Sequence, residues 1–286
     1  MKKIIVLGCS KNQIEYLKVL KKKFKIILLD KNINSPGKKF AYKFFHCGYD
    51  NTKKMNDLFQ KKLIRSKYIF SASSHFAYIG LSYLAKKMGI KNFPTKKQIS
   101  IILDKNKFYD FLIKEGVSIP WTRKIFKKKE LIKYKNYQNI FFLKSDFGKS
   151  PNYIYHGSIN YLLKKKINWI KNDFLKKNYL LQKKFEGKEI RVNIFDKKSI
   201  CFYLKNGKRI SKIDVKKINE LEIFKKLNLL NKKLKIERLL VKYDVIISDK
   251  GYVVLDIGLD PPQRMLSYFK KIKKNFYKFY LKFFIN

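Results

Sequence analysis

An α/β fold is predicted, with a parallel sheet in the N-terminal third and an α+β arrangement in the C-terminal half. Three observations predict it. Short, nearly uninterrupted apolar runs alternate with segments of helical spacing as far as Pro94, the signature of buried parallel strands joined by crossover helices. Beyond Pro94 the strand-like runs lie closer together and flank hairpin signals such as Ser248-Asp249-Lys250-Gly251. A length of 286 residues with 45% hydrophobic content can build two or three subdomains with cores of their own.

The first strand is Ile4-Ile5-Val6-Leu7, ending in a Gly8-Cys9-Ser10 turn. A helix follows with Ile14, Leu17 and Leu20 on one face, then a second strand from Lys25 to Leu29 ending at Asp30. Residues Asn51 to Lys62 read as helix, Lys67 to Phe70 as strand and Phe76 to Met88 as helix. A helix from about Thr95 to Glu115 is closed by Gly116, a natural C-cap, and Val117 to Pro120 is extended. Strands are expected at Asn139 to Leu143, Tyr153 to Tyr155, Tyr179 to Gln182, Ile190 to Phe195, Ser199 to Leu204, Leu239 to Ile247 and Tyr252 to Ile257. Helical spacing covers Ile159 to Leu175, Lys212 to Lys235 and, with Phe269, Ile272, Phe276, Tyr280 and Phe283, Met265 to Asn286. The expected units are 1–93, 94–184, 185–264 and a basic amphipathic helix at 265–286. That helix suits packing on its own domain, and also weak contact with a membrane surface or a homodimer contact.

Charge is less informative than its size suggests. The chain carries 68 Lys+Arg against 21 Asp+Glu, a formal net charge of +47. Nearly all of it is Lys, spread end to end among abundant Ile, Asn, Phe and Tyr, and the arginines are Arg65, Arg123, Arg191, Arg209, Arg238 and Arg264. That joint bias fits an A+T-rich coding sequence better than a polyanion partner, so no specific nucleic-acid partner is expected, and the scarce Arg, Asp, Glu and Gly carry most information. Cys9, Cys47 and Cys201 are too scattered for a disulfide framework or zinc site, and His46, His75 and His156 lack ligand spacing. The Gly8-Cys9-Ser10 turn lacks the GxGxxG glycines of a dinucleotide fold. No run approaches the about 18 apolar residues of a membrane span, and no secretory leader is recognised, which leads to an expectation of a cytoplasmic protein.

Four motifs then fall in order: Asp104-Lys105, opening into Phe108 and Phe111-Leu112; the loop Lys144-Ser145-Asp146-Phe147-Gly148-Lys149-Ser150-Pro151-Asn152; the stretch Gln182-Lys183-Lys184-Phe185-Glu186-Gly187-Lys188-Glu189-Ile190-Arg191; and Tyr243-Asp244-Val245-Ile246-Ile247 with Gly251 to Gly258. In this order they resemble the ATP-grasp superfamily, over nearly the whole chain to about Arg264. The resemblance implies a two-subdomain ATP-grasp fold behind the N-terminal sheet. It also implies an ATP- and Mg2+-dependent ligase that activates a carboxylate as an acyl-phosphate and joins it to an amine. Lys105 and Lys144 would contact the phosphates, and Gly148, Lys149 and Ser150 would belong to a flap above them. Gln182, Lys183 and Phe185 would seat the adenine, and Glu189 would meet the ribose. Lys242 and Arg191 would stabilise the reacting phosphoryl group. Asp244 and Asp256 sit on neighbouring strands, where burial without a partner would cost several kcal/mol. Mg2+, which pairs one or two carboxylates with substrate phosphates, answers that cost, and so does pairing with a nearby Lys.

The sequence departs from that pattern in the glycine-poor flap, whose Pro151 has no N–H to donate. It also departs at Asp256 where Glu is usual, at Gly258 where Asn is common, and at Gln182 in place of an acid. Asp260 is then a candidate for the missing metal oxygen. A degenerate member that binds nucleotide or a partner without turnover stands as the alternative. The N-terminal sheet and Arg209 to Ser211 are the candidate acceptor region.

Overall fold

The computed structural model describes residues 1–91, 93–145, 154–165, 179–195, 198–205, 208–212, 222–261 and 263–285. Four parallel strands, β1 (Lys2–Leu7), β2 (Phe24–Asp30), β3 (Lys43–His46) and β4 (Ile69–Phe70), form a sheet in the order β3-β2-β1-β4. Residues Ile4 to Leu7 and Ile26 to Leu29 are buried because helices cover both faces of the sheet. These are α1 (Ile14–Lys21), α2 (Thr52–Gln60) and α3 (Ala77–Lys87). The edge strand β3 is four residues with a single half-buried apolar pair, Phe44-Phe45, too short a run for the sequence pattern to reveal.

The region expected to be one helix from Thr95 to Glu115 is two, α4 (Lys96–Leu103) and α5 (Lys105–Lys114). Thr95 and Gln98 close a capping box at the start of α4. Asp104 breaks the run: its backbone is extended (φ −107°, ψ 110°), and its carboxylate accepts from the N–H groups of Asn106 and Lys107 as the N-cap of α5. The apolar spacing continues through the break, so periodicity alone did not reveal it.

A second, antiparallel sheet has the order β5-β8-β6-β7, from β5 (Thr122–Ile125), β6 (Phe141–Ser145), β7 (Ile154–Gly157) and β8 (Tyr179–Lys183), with α6 (Ile159–Lys164) between β7 and β8. Its apolar face, with Ile125, Phe141, Leu143 and Leu181, closes over Leu131, Ile159 and Leu162. A third, also antiparallel, has the order β11-β10-β9-β12-β13, from β9 (Lys188–Phe195), β10 (Lys198–Lys205), β11 (Lys208–Lys212), β12 (Val241–Ser248) and β13 (Gly251–Gly258). Here Ile190, Val192, Ile194, Tyr243, Val245 and Val254 face the core with Ile223, Leu227 and Leu230 of α7 (Glu222–Lys233). The remaining parts of the expected helices, 166–175 and 213–221, lie outside the described residues.

Gly187 joins the second sheet to the third. Its φ is +154°, and a Cβ there would stand 2.4 Å from the Ile247 carbonyl oxygen, so the close approach of this connection to β12 requires glycine.

The C-terminal stretch is two helices, α8 (Gln263–Lys271) and α9 (Phe276–Ile285), broken where Lys273 takes a φ of 53°. Its apolar face is occupied. Met265, Phe269, Phe276, Tyr280 and Leu281 are buried in one cluster with Ile4, Val6, Tyr16, Leu17 and Phe70 of the parallel-sheet unit. Weak membrane contact through 265–286 is therefore not supported, because the side chains that would enter a lipid surface already fill this core. No helix among the described residues is long and apolar enough to cross a membrane. Burial of each large side chain contributes about 1.5–3 kcal/mol. Deleting residues 263–286 should accordingly abolish a cooperative thermal transition. A truncated chain that melts normally and only loses liposome binding would show that these helices are an anchor instead.

Candidate functional site

The polar face of the third sheet carries the charge. Side chains directly opposite one another on adjacent strands share a face. Register places Arg191 of β9 opposite Asp244 of β12, and Asp244 opposite Asp256 of β13. The next row is Asn193, Lys242 and Gly258. The two aspartates singled out in the sequence therefore lie side by side, with Arg191 beyond them.

Arg191 clamps Asp244 through two parallel hydrogen bonds, Nε to Oδ1 and Nη2 to Oδ2, both 2.6 Å. Burial works against the guanidinium charge. The bond to Asp244 and the fields of Asp244, Glu189 and Asp256 outweigh it, and the Arg191 pKa is held above its ordinary value. Lys242 Nζ donates to Asp260 Oδ2 at 2.7 Å. Gly258 makes room for that contact, since a Cβ there would stand 2.4 Å from Lys242 Cε. Asp256 differs from both: Oδ1 accepts the Ile257 N–H at 3.0 Å, and among the described residues its carboxylate is in no ion pair.

Tyr109 connects this face to the second sheet, and nothing in the sequence marked it. Its spacing on α5 suits a core aromatic, and it is 3% exposed. Its hydroxyl accepts from Lys144 Nζ at 2.8 Å and Gln182 Nε2 at 3.1 Å, and donates to the Leu255 carbonyl at 2.8 Å. One donor and two acceptor sites are all used. Leu255 is the extra residue of a β-bulge, because Asp244 pairs with Asp256 while Val245 pairs with Val254. The bulge carbonyl is held by Tyr109, and the next residue is Asp256. Lys144 is thereby linked, through a single shared hydroxyl, to the residue that precedes Asp256. Lys105 lies four residues before Tyr109, on the same face of α5.

Gln182, 4% exposed, also donates to Thr122 Oγ1 at 3.1 Å, so this replacement for an acid is a satisfied buried amide. The N–H groups of Lys183 and Lys184 bond the Trp121 and Ile140 carbonyls at 2.9 Å each, fixing the strand end before the connection that carries Phe185. Glu189 is the second residue of β9, two residues before Arg191. The flap residues Gly148, Lys149 and Ser150 lie outside the described residues. Arg209 and Ser211 fall on β11, an edge strand.

The parallel-sheet unit reaches the same place. The Leu259 carbonyl accepts from Tyr78 at 3.1 Å and Tyr280 at 3.2 Å, which fixes the segment after β13 between α3 and α9. His75, 5% exposed, stands with Nδ1 3.9 Å from Asp260 Oδ1. The Gly8-Cys9-Ser10 turn ends β1, where burial and Asp30 push the Cys9 thiol up to about 12 and keep it protonated.

Among the described residues no three His, Cys, Asp or Glu side chains form a preformed metal cage. The donor set does fit Mg2+ arriving with phosphates, which takes one or two carboxylates and completes its shell from the nucleotide and water.

No protein-family model matches the sequence, and no curated protein matches it. Solved structures do. N5-carboxyaminoimidazole synthetase from Staphylococcus aureus, complexed with ADP, has a TM-score of 0.71 at 16% identity over 92% of this chain and 72% of its own. The biotin carboxylase domain of Hydrogenobacter thermophilus 2-oxoglutarate carboxylase, with MgADP and bicarbonate, has a TM-score of 0.71 at 15% identity over 99% and 69%. D-alanine–D-alanine ligase from Bacillus anthracis has a TM-score of 0.62 at 15% identity over 99% and 96%. The likeness shows the ATP-grasp fold that the four motifs imply.

Tyr109→Phe should leave the Leu255 carbonyl and Lys144 without their partner and cost about 1–3 kcal/mol. Thermal denaturation checks this, with Tyr83→Phe, which removes a single part-buried bond from its hydroxyl to Asn56 Oδ1, as the control. An unchanged melting temperature would remove Tyr109 from its connecting role.

Proposed function

From an ATP-grasp fold carrying this charged face, we propose that the chain is an ATP-dependent ligase. It activates a small carboxylate as an acyl-phosphate and transfers the acyl group to an amine. The observation that carries the proposal is the Tyr109 hydroxyl. It ties Lys144 to the bulge beside Asp256, within one strand pairing of the Arg191–Asp244 clamp. Cations and carboxylates from two sheets then meet at one place, as transfer of a polyanionic phosphoryl group requires.

In this scheme Lys105 and Lys144 bind the phosphates. The flap residues Gly148, Lys149 and Ser150 cover them and exclude water, which would otherwise hydrolyse the acyl-phosphate. Gln182, Lys183 and Phe185 seat the adenine, and Glu189 meets the ribose. The substrate carboxylate oxygen takes the terminal phosphoryl group and ADP leaves. Attack by the amine nitrogen then forms the C–N bond, breaks the C–O bond to phosphate and releases phosphate and a proton. Lys242 and Arg191 carry positive charge to the phosphoryl oxygens through both stages. Mg2+, held at the Asp256 end of the face, supplies charge neutralisation of the polyphosphate when bound. Arg209 to Ser211 and the ends of the parallel strands flank the acceptor. The scheme places the protein in the cytoplasm, where it would meet ATP and Mg2+.

The solved relatives support the scheme at the level of what their names state. One was determined with ADP, one with MgADP and bicarbonate, and another is an L-amino acid ligase from Bacillus licheniformis.

Addition of Mg2+ and ATP should raise the melting temperature, by the equivalent of about 2.7 kcal/mol at a hundredfold excess over Kd. Lys144→Met should remove most of that rise while leaving the unliganded melting temperature within a few degrees. ADP release, screened over small carboxylic acids each paired with amines, should appear only when both are present or rise sharply with the amine. Well-folded protein with no nucleotide-dependent shift would contradict the proposal.

A further inference from the structure

We propose that this face holds a single divalent cation, at Asp256, and that Lys242 acts as a fixed substitute for the charge of a second one. This rests on the nucleotide-dependent function proposed above and specifies the metal stoichiometry of that site.

Among the described residues, Asp244, Asp256 and Asp260 are the aspartates at this end of β12 and β13, and they are not equivalent. Both oxygens of Asp244 are taken by the guanidinium of Arg191 at 2.6 Å, and a metal there would have to break a charge-assisted, bidentate pair. Asp260 holds Lys242 Nζ at 2.7 Å, in a contact where the side chains are only 20% and 13% exposed. Asp256 is the member of the row whose charge no fixed cation pairs among the described residues. Two of the three negative charges are thus balanced by the protein itself, and one divalent cation suffices to make the face positive towards a polyphosphate.

The substitute cation is built into the backbone. Gly258 is the cross-strand partner of Lys242, and a Cβ would stand 2.4 Å from Lys242 Cε, 3.2 Å from Lys242 Cγ and 3.1 Å from Asp260 Oδ1. The lysine stem lies along the bare strand, in the space that any longer side chain at position 258 would fill. Asp260 is held at the far end, because Tyr78 and Tyr280 fix the carbonyl of Leu259. Glycine, lysine and aspartate therefore act together: a side chain at 258 displaces the lysine stem, and loss of the ammonium exposes Asp260 as a second metal ligand. An ammonium also differs from a metal ion in being unable to dissociate, so the site should need less free Mg2+ than a two-metal site would.

The test counts metal directly. Protein in excess over AMP-PNP, a non-hydrolysable ATP analogue, is titrated with Mn2+ and bound metal is read from loss of the free-Mn2+ EPR signal. Equilibrium dialysis measures bound nucleotide separately. The wild-type protein should bind one Mn2+ per bound nucleotide, and Asp256→Asn should weaken that site at least tenfold. Lys242→Met, which removes the ammonium from Asp260 Oδ2, should admit a second Mn2+. Gly258→Val, which displaces the lysine stem, keeps the ammonium and adds no metal ligand of its own, should do the same and covers the case in which Lys242→Met fails to fold. Two Mn2+ per nucleotide in the wild type, or a count of one in both variants, overturns the proposal. Failure of the wild type to bind AMP-PNP in dialysis overturns it together with the ligase function, and is told apart because dialysis needs no metal count.

Discussion

The bidentate pair between Arg191 and Asp244 is the constraint around which the site is arranged. It spans two adjacent strands of an antiparallel sheet, at 2.6 Å in both bonds, on a face whose other side packs against the apolar core. Strand alternation imposes this separation: Val192, Tyr243 and Val245 are buried in the core, while Arg191, Lys242 and Asp244 point the other way. A one-residue slip of β9 against β12 would bury the charges and expose the core, so the hydrophobic side fixes the register that brings the charges together. The clamp neutralises Asp244 and leaves Asp256 as the neighbour in the same row that no ion pair holds among the described residues.

Hydroxyl groups of buried tyrosines then attach the rest of the molecule to that row. Tyr109 satisfies the carbonyl of the β13 bulge and holds Lys144 and Gln182 of the second sheet. Tyr78 and Tyr280 together satisfy the carbonyl of Leu259 from α3 and α9. Each anchors a backbone oxygen next to an aspartate of the proposed site, Asp256 in one case and Asp260 in the other. An unsatisfied buried carbonyl is costly, so these bonds fix the backbone beside each acid. The aromatic rings surround them with apolar packing, as Tyr280 does beside Tyr16, Phe276 and Phe284. Burial also raises the Tyr78 and Tyr280 pKa values, which keeps both hydroxyls as donors.

Much of this was legible in the sequence, and the exceptions have physical causes. Continuous apolar runs gave the parallel strands β1 and β2, and the Ser248 to Gly251 turn gave the pairing of Asp244 with Asp256. The edge strand β3 was missed because its apolar run is a single pair, Phe44-Phe45. The break at Asp104 was missed because the apolar spacing of α4 continues into α5, and only the N-cap bonds of Asp104 reveal it. Tyr109 was invisible for a different reason: the sequence shows an aromatic at core spacing, and only the fold brings a bulge carbonyl, a lysine and an amide to its hydroxyl. The partners of Asp260 and Asp244 were also beyond sequence pattern, since in a chain with 68 Lys+Arg any acid has many cations to choose from. The amphipathic C-terminal stretch could not declare its own partner, and the parallel-sheet unit turned out to be it.

The central claim is that Lys144 and the acidic row form one nucleotide site. The most direct measurement is a crystal structure with ADP and Mn2+, using the anomalous signal of manganese to place the metal. The account predicts an anomalous peak bonded to an Asp256 oxygen, with the nucleotide phosphates between it and the ammonium of Lys144. A nucleotide bound elsewhere, or manganese coordinated away from Asp256 while Lys144 touches no phosphate, would contradict it.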